Sequence, residues 1–171
     1  MVRLIMAKKR IRIKAGDIFE VIRCDGNKQY LQFLVVDRSM LDGDVIRVFK
    51  KHYAPEAVPS PEDIISDKVL FYAQTSVRRG VREEWWTKYG HSDDLGELKR
   101  IIFSSEGAFW YLWRVNKRPW IFPWLPKNIF NPGSIFPPFF IVTRINENLI
   151  YESDIERHQK RNREMIAEQM K

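Results

Sequence analysis

Three pieces of sequence decide the fold: the run Asp17-Ile18-Phe19-Glu20-Val21-Ile22, the turn Asp25-Gly26-Asn27, and the return Tyr30-Leu31-Gln32-Phe33-Leu34-Val35-Val36. The first run is dense in strand formers, and the turn residues tolerate positive φ, so the pair reads as a β-hairpin. In the return run Gln32 is the only polar residue, which suits a strand buried on both faces. Leu41-Asp42-Gly43-Asp44 makes the next turn and Val45-Ile46-Arg47-Val48-Phe49 the next strand. Usual strand and loop lengths give three antiparallel strands in roughly 35 residues, a meander and the start of a sheet or partial barrel.

Upstream, Arg10-Ile11-Arg12-Ile13-Lys14 alternates strictly and predicts a further strand with a wet basic face. Downstream, residues 50–61 carry three prolines and read as an excursion. Ser60-Pro61-Glu62-Asp63 places a cap residue, a proline and two acids in the order of a helix start, with room for a short helix only. Residues 69–77 are strand-like, and residues 76–89 fit either a turn of helix or an edge strand. Residues 101–103 and 109–115 return to strand character. Residues 103–140 hold 12 of the 23 aromatics and six of the nine prolines, so this stretch reads as an ordered loop or a proline-broken edge region. A last strand is predicted over residues 139–144. Ser153-Asp154-Ile155-Glu156 has capping-box spacing and predicts a C-terminal helix to about residue 169.

At 171 residues the chain is expected to form one α+β domain: mainly an antiparallel twisted sheet or partial small barrel, few helices and a C-terminal helical tail. Residues 1–13 form a basic arm or first strand, 14–151 the globular body and 152–171 the charged helix. The net charge of +7 is concentrated in residues 1–14, which hold six basic residues and no acid. The middle of the chain is nearly neutral. The apolar stretch 135–142 contains two prolines and is far shorter than the ~20 residues that span a bilayer, so no membrane partner is expected.

One cysteine, Cys24, excludes an intramolecular disulfide and a cysteine-based zinc site and fits a reducing cytoplasm. The three histidines, His52, His91 and His158, lie in an excursion, a polar loop and the tail. Each reads as solvent-facing rather than as a general base. The acid pairs Asp42/Asp44, Glu83/Glu84 and Asp93/Asp94 have no histidine at ligand spacing, and no phosphate-cradling glycine motif occurs. The expectation is a non-enzyme with no metal and no cofactor. Two stretches carry binding chemistry. Arg78, Arg79, Arg82, Trp85 and Trp86 combine the residue types enriched at protein-interface hot spots. Residues 113–122 interleave Trp113 and Trp120 with Arg114, Lys117 and Arg118, a pattern suited either to a packed cover over the core or to single-stranded nucleic acid.

The order of segments resembles a known family. Lys14-Ala15-Gly16-Asp17-Ile18-Phe19-Glu20-Val21, Tyr30-Leu31-Gln32-Phe33-Leu34, Leu41-Asp42-Gly43-Asp44-Val45-Ile46-Arg47-Val48-Phe49-Lys50-Lys51-His52-Tyr53, Phe71-Tyr72-Ala73, Gly80 and Trp86-Thr87-Lys88-Tyr89-Gly90 are similar to the immunity protein 26 family of bacterial polymorphic toxin systems. The resemblance spans residues 14–145. It implies a cytoplasmic protein that binds and neutralises a cognate toxin protein, and it brings no catalytic residues. Arg78, Arg79, Arg82, Trp85 and Trp86 are then the candidate toxin contacts, the oligomeric state being open. The alternative is an RNA-binding or ribonuclease-like small-barrel protein, in which the basic arm and Arg23 meet phosphates.

Overall fold

In the computed structural model, residues 11–106, 110–122 and 131–147 are described. The Asp25-Gly26-Asn27 turn reverses the chain as the sequence predicts: Gly26 sits at φ 82° and the Asn27 N–H donates to Asp25 Oδ1. It joins β1 (Asp17–Ile22) to β2 (Lys28–Asp37), with Ile18 opposite Gln32 and Ile22 opposite Lys28. A turn through Asp42, at φ 56°, leads into β3 (Gly43–Phe49). The short helix α1 (Pro61–Ile65) follows the excursion, and Ser60 and Asp63 close the capping box at its start. Antiparallel β4 (Val69–Thr75) then pairs with β3. Helix α2 (Val77–Arg82) and strand β5 (Thr87–His91) divide the stretch that the sequence leaves ambiguous, and β5 pairs with β1.

A second sheet is built from β6 (Ile102–Glu106), β7 (Trp110–Arg114), β8 (Trp120–Phe122) and the two-residue β9 (Asn131–Pro132). From β9 the chain crosses through Gly133 to β10 (Ile135–Phe136), which pairs parallel with β4, and enters α3 (Pro138–Asn146). The strand orders are β10-β4-β3-β2-β1-β5 and β8-β7-β6-β9. Both sheets are open, so the structure is α+β without a closed barrel.

Burial of β2 on both faces explains its apolar run. On one face Phe19, Leu31, Phe33, Ile46, Val48, Phe71 and Ala73 pack beneath α2 and α3, against Val77, Trp86, Ile141 and Ile145. On the other face Ile18, Tyr30 and Phe49 pack with Tyr53 and Ile64, while Leu34 and Val45 meet Ile101, Phe103, Trp113 and Val115 of the second sheet. The aromatic stretch 103–140 thus supplies much of one core.

Three expectations are corrected. Residues 139–144 are helix, not a last strand. The chain enters through extended Pro137 with Pro138 at the first helical position, and burial at Ile141, Arg144 and Ile145 follows helical spacing. The alternating run ending at Lys14 does not pair: residues 11–14 form no strand. Lys14 instead donates its N–H to Asp17 Oδ2, and Gly16 turns at φ 90° into β1. Third, His91 is not a loop residue but ends β5, its Nδ1 3.1 Å from Asp17 Oδ1 and its Nε2 2.9 Å from Asp93 Oδ1. The helix expected over residues 152–171 lies outside the described residues.

Candidate functional site

Helix α2 takes its start from the neighbouring strand. Ser76 makes no side-chain cap bond; Asp44 of β3 accepts the Val77 N–H at 2.8 Å. Burial pushes the Asp44 carboxyl up, opposed by that N–H and by the charge of Arg78.

The helix ends in a Schellman motif. The Glu84 N–H donates to Val81 O, the Trp85 N–H donates to Gly80 O, and Glu84 sits at φ 63°, where glycine is the usual occupant. This turn sends the two adjacent tryptophans in opposite directions. Trp86 goes inward: its Nε1–H donates to Val77 O at 3.1 Å, and its ring lies on Gly80, where a Cβ would stand 1.9 Å from Cζ2. Trp85 goes outward and is 39% exposed.

Of the five residues the sequence nominates, four therefore share a surface and one does not. Trp86, 2% exposed, is the floor beneath α2 and has no surface to offer a partner. Arg78, Arg79 and Arg82 are exposed beside Trp85. Glu83 joins Arg79, Arg82 and Trp85: one carboxylate oxygen accepts from Arg79 Nε at 2.6 Å and the other from Trp85 Nε1 at 3.2 Å, with Arg82 Nη2 at 4.0 Å. The hydrogen bond from Arg79 holds the Glu83 carboxyl below the usual glutamate range.

A fifth residue completes the patch. Phe139, in the first turn of α3, is 50% exposed, and its ring centroid lies 6.4 Å from that of Trp85 at 52°. The strand predicted over residues 139–144 does not bring Phe139 to this surface; Pro137-Pro138, an extended cap followed by a helix-starting proline, is the sequence signal for the helix that does.

Other candidates fall elsewhere. Arg23, a phosphate contact in the RNA alternative, is buried: its Nη1 donates to Gln29 Oε1 at 2.7 Å and to Ile145 O at 2.5 Å, closing the C-terminal end of α3. Among the described residues no cluster of three or more His, Cys, Asp and Glu could hold a metal ion, and no helix is long and apolar enough to cross a membrane. Compared with protein-family models, with curated proteins and with solved structures, the chain matches none.

Proposed function

We propose that this chain is a non-catalytic immunity protein that binds and neutralises a cognate bacterial toxin in the cytoplasm, docking through Arg78, Arg79, Arg82, Trp85 and Phe139. The exposed Trp85–Phe139 pair, edged by three arginines, carries the reading. Tryptophan and arginine dominate interface hot spots because they combine a large desolvated area with several directed hydrogen bonds. The pair sits on a rigid base, since α2 is clamped by Trp86 below and capped by Asp44 at its start, so little ordering entropy is lost on binding.

The resemblance to immunity protein 26 also supports the reading. Its residues fall on the frame of this surface: Asp44-Val45-Ile46-Arg47 in β3, Phe71-Tyr72-Ala73 in β4, and the Gly80–Trp86 contact under α2.

The test is co-expression with the toxin encoded beside this gene, followed by calorimetric titration of the purified pair. Growth is rescued and a one-to-one complex forms. Trp85→Ala and Phe139→Ala each weaken it by about 30-fold, which corresponds to a hot-spot loss of roughly 2 kcal/mol. Unrelieved toxicity, or affinity unchanged by both substitutions, overturns the proposal.

A further inference from the structure

The hairpin of β7 and β8 is held from behind with unusual firmness. Asp37, fully buried at the end of β2, accepts from Trp113 Nε1 at 2.7 Å, Gln74 Nε2 at 3.1 Å, the Asn116 N–H at 2.9 Å and the Ser39 N–H at 3.1 Å. Asn116, at φ 55° in the hairpin turn, donates from Nδ2 to Val36 O and accepts the Arg38 N–H. These bonds fix the hairpin turn to the end of β2 and leave Trp120 and its neighbouring cations exposed.

That outer side is cationic. Between Trp110 and Phe122 the sequence holds Arg114, Lys117 and Arg118 and no acid, and Arg38 stands at the same turn; all four are exposed. Trp120 is 43% exposed, with the Arg114 guanidinium 5.3 Å from its ring centroid, so one aromatic face is engaged by a cation while much of the ring remains in solvent.

Prolines 119 and 123 bracket β8 and remove backbone donors at both ends, which disfavours a fifth strand supplied by a protein. Recognition there falls to side chains. A flat indole with cations along one hairpin matches stacked bases on a phosphate backbone.

We infer that the β7–β8 hairpin binds single-stranded nucleic acid, through stacking on Trp120 and phosphate contacts from Arg114, Lys117 and Arg118. This surface is separate from the Trp85–Phe139 patch and does not depend on the toxin-binding reading.

The probe is a fluorescein-labelled single-stranded RNA of about 12 nucleotides, titrated with the full chain by anisotropy at about 50 mM salt. Binding falls steeply with salt, and Trp120→Ala weakens it about tenfold, while Trp120→Phe retains it because the phenyl ring still stacks. Each of Arg114→Ala, Lys117→Ala and Arg118→Ala lowers the log–log salt slope by about 0.7. A duplex of the same sequence binds more weakly. Thermal melting of each variant shows that the fold is kept. No binding at low salt overturns the inference. Binding indifferent to Trp120→Ala and to the three cation substitutions also overturns it, since the contact would then belong to another basic segment such as residues 3–14. Capture of an acidic peptide in place of RNA overturns it as well.

Discussion

Gly80→Ala tests the arrangement under the proposed docking surface. In an exposed helix the change gains about 0.8–1.0 kcal/mol, because alanine loses less backbone entropy than glycine. Here the new methyl meets Trp86 Cζ2, Cε2 and Cη2 at 1.9, 2.0 and 2.6 Å. Carbon contacts settle near 3.5–4.0 Å, so the indole has to withdraw by roughly 1.5 Å. It withdraws into a packed core formed with Val77, Phe19 and Ile141, and it gives up the 3.1 Å bond from Nε1 to Val77 O. Overpacking costs about 1–3 kcal/mol and a buried donor left unpaired about 1–3 kcal/mol. After the helix gain the net loss is about 1–5 kcal/mol, centred near 3 kcal/mol, and that central value lowers Tm by roughly 6–12 °C for a chain of this size. Urea unfolding followed by circular dichroism and by tryptophan fluorescence measures it. The double variant Gly80→Ala/Trp86→Leu recovers part of the loss, giving a coupling of about 1 kcal/mol or more. Stability equal to or above the parent, with the two substitutions additive, would refute the stacking of Trp86 on α2.

Glu84→Gly removes a side chain from positive φ and stabilises the protein by about 1 kcal/mol, read as a higher urea midpoint, with toxin affinity unchanged. Arg23→Ala strips the bonds to Gln29 Oε1 and Ile145 O; hydrogen exchange at residues 143–147 accelerates and stability drops by about 2 kcal/mol. Burial works to raise the Asp37 carboxyl, but hydrogen bonds from Ser39, Asn116 and Trp113 outweigh it and hold it below the usual aspartate range. Its contribution to stability is therefore complete above about pH 4 and is lost as pH falls through the lowered folded value. Asp44, pushed up by burial, works in the opposite sense over its own range. Asp37→Asn flattens the acid limb of stability measured between about pH 2 and 6; an unchanged limb would show that Asp37 does not link the sheets.

Where side-chain pattern and turn chemistry agree, the sequence was legible. The hairpin at Asp25-Gly26-Asn27, the turn at Asp42 and the capped start of α1 each contain a residue whose local preference matches the backbone found there. It was illegible where tertiary contacts override propensity. Phe139-Phe140-Ile141-Val142-Thr143 is rich in strand formers, yet it follows an extended Pro137 and a helix-starting Pro138, and its apolar residues at helical spacing bury against the sheet face. Arg10-Ile11-Arg12-Ile13-Lys14 has the right alternation, but the Lys14–Asp17 turn and β5 on the outer side of β1 leave residues 11–14 unpaired. Of the candidate site, the sequence brings together Arg78, Arg79, Arg82 and Trp85, and the structure exposes all four on one surface. The opposite directions of Trp85 and Trp86 were not legible, because they depend on positive φ at a glutamate.

The meeting of Trp85 with Phe139, more than 50 residues away in sequence, has a topological cause. Strand β10 lies parallel to β4 with Phe136 opposite Thr75, and Thr75 Oγ1 donates to Phe136 O at 2.7 Å. Each strand leads at once into a helix, α2 from Val77 and α3 from Pro138, so two registered residues set two helix starts side by side on one face of the sheet. The scaffold then constrains some of the nearby side chains and not others. Gly80, Trp86 and Thr75 are dictated by contacts within the fold. Arg78, Arg82 and the outer faces of Trp85 and Phe139 are exposed and lie outside the buried core clusters. An exposed phenylalanine beside an exposed tryptophan costs solubility and contributes little to folding. The proposed function gives the pair a role, because a bound toxin would cover both rings.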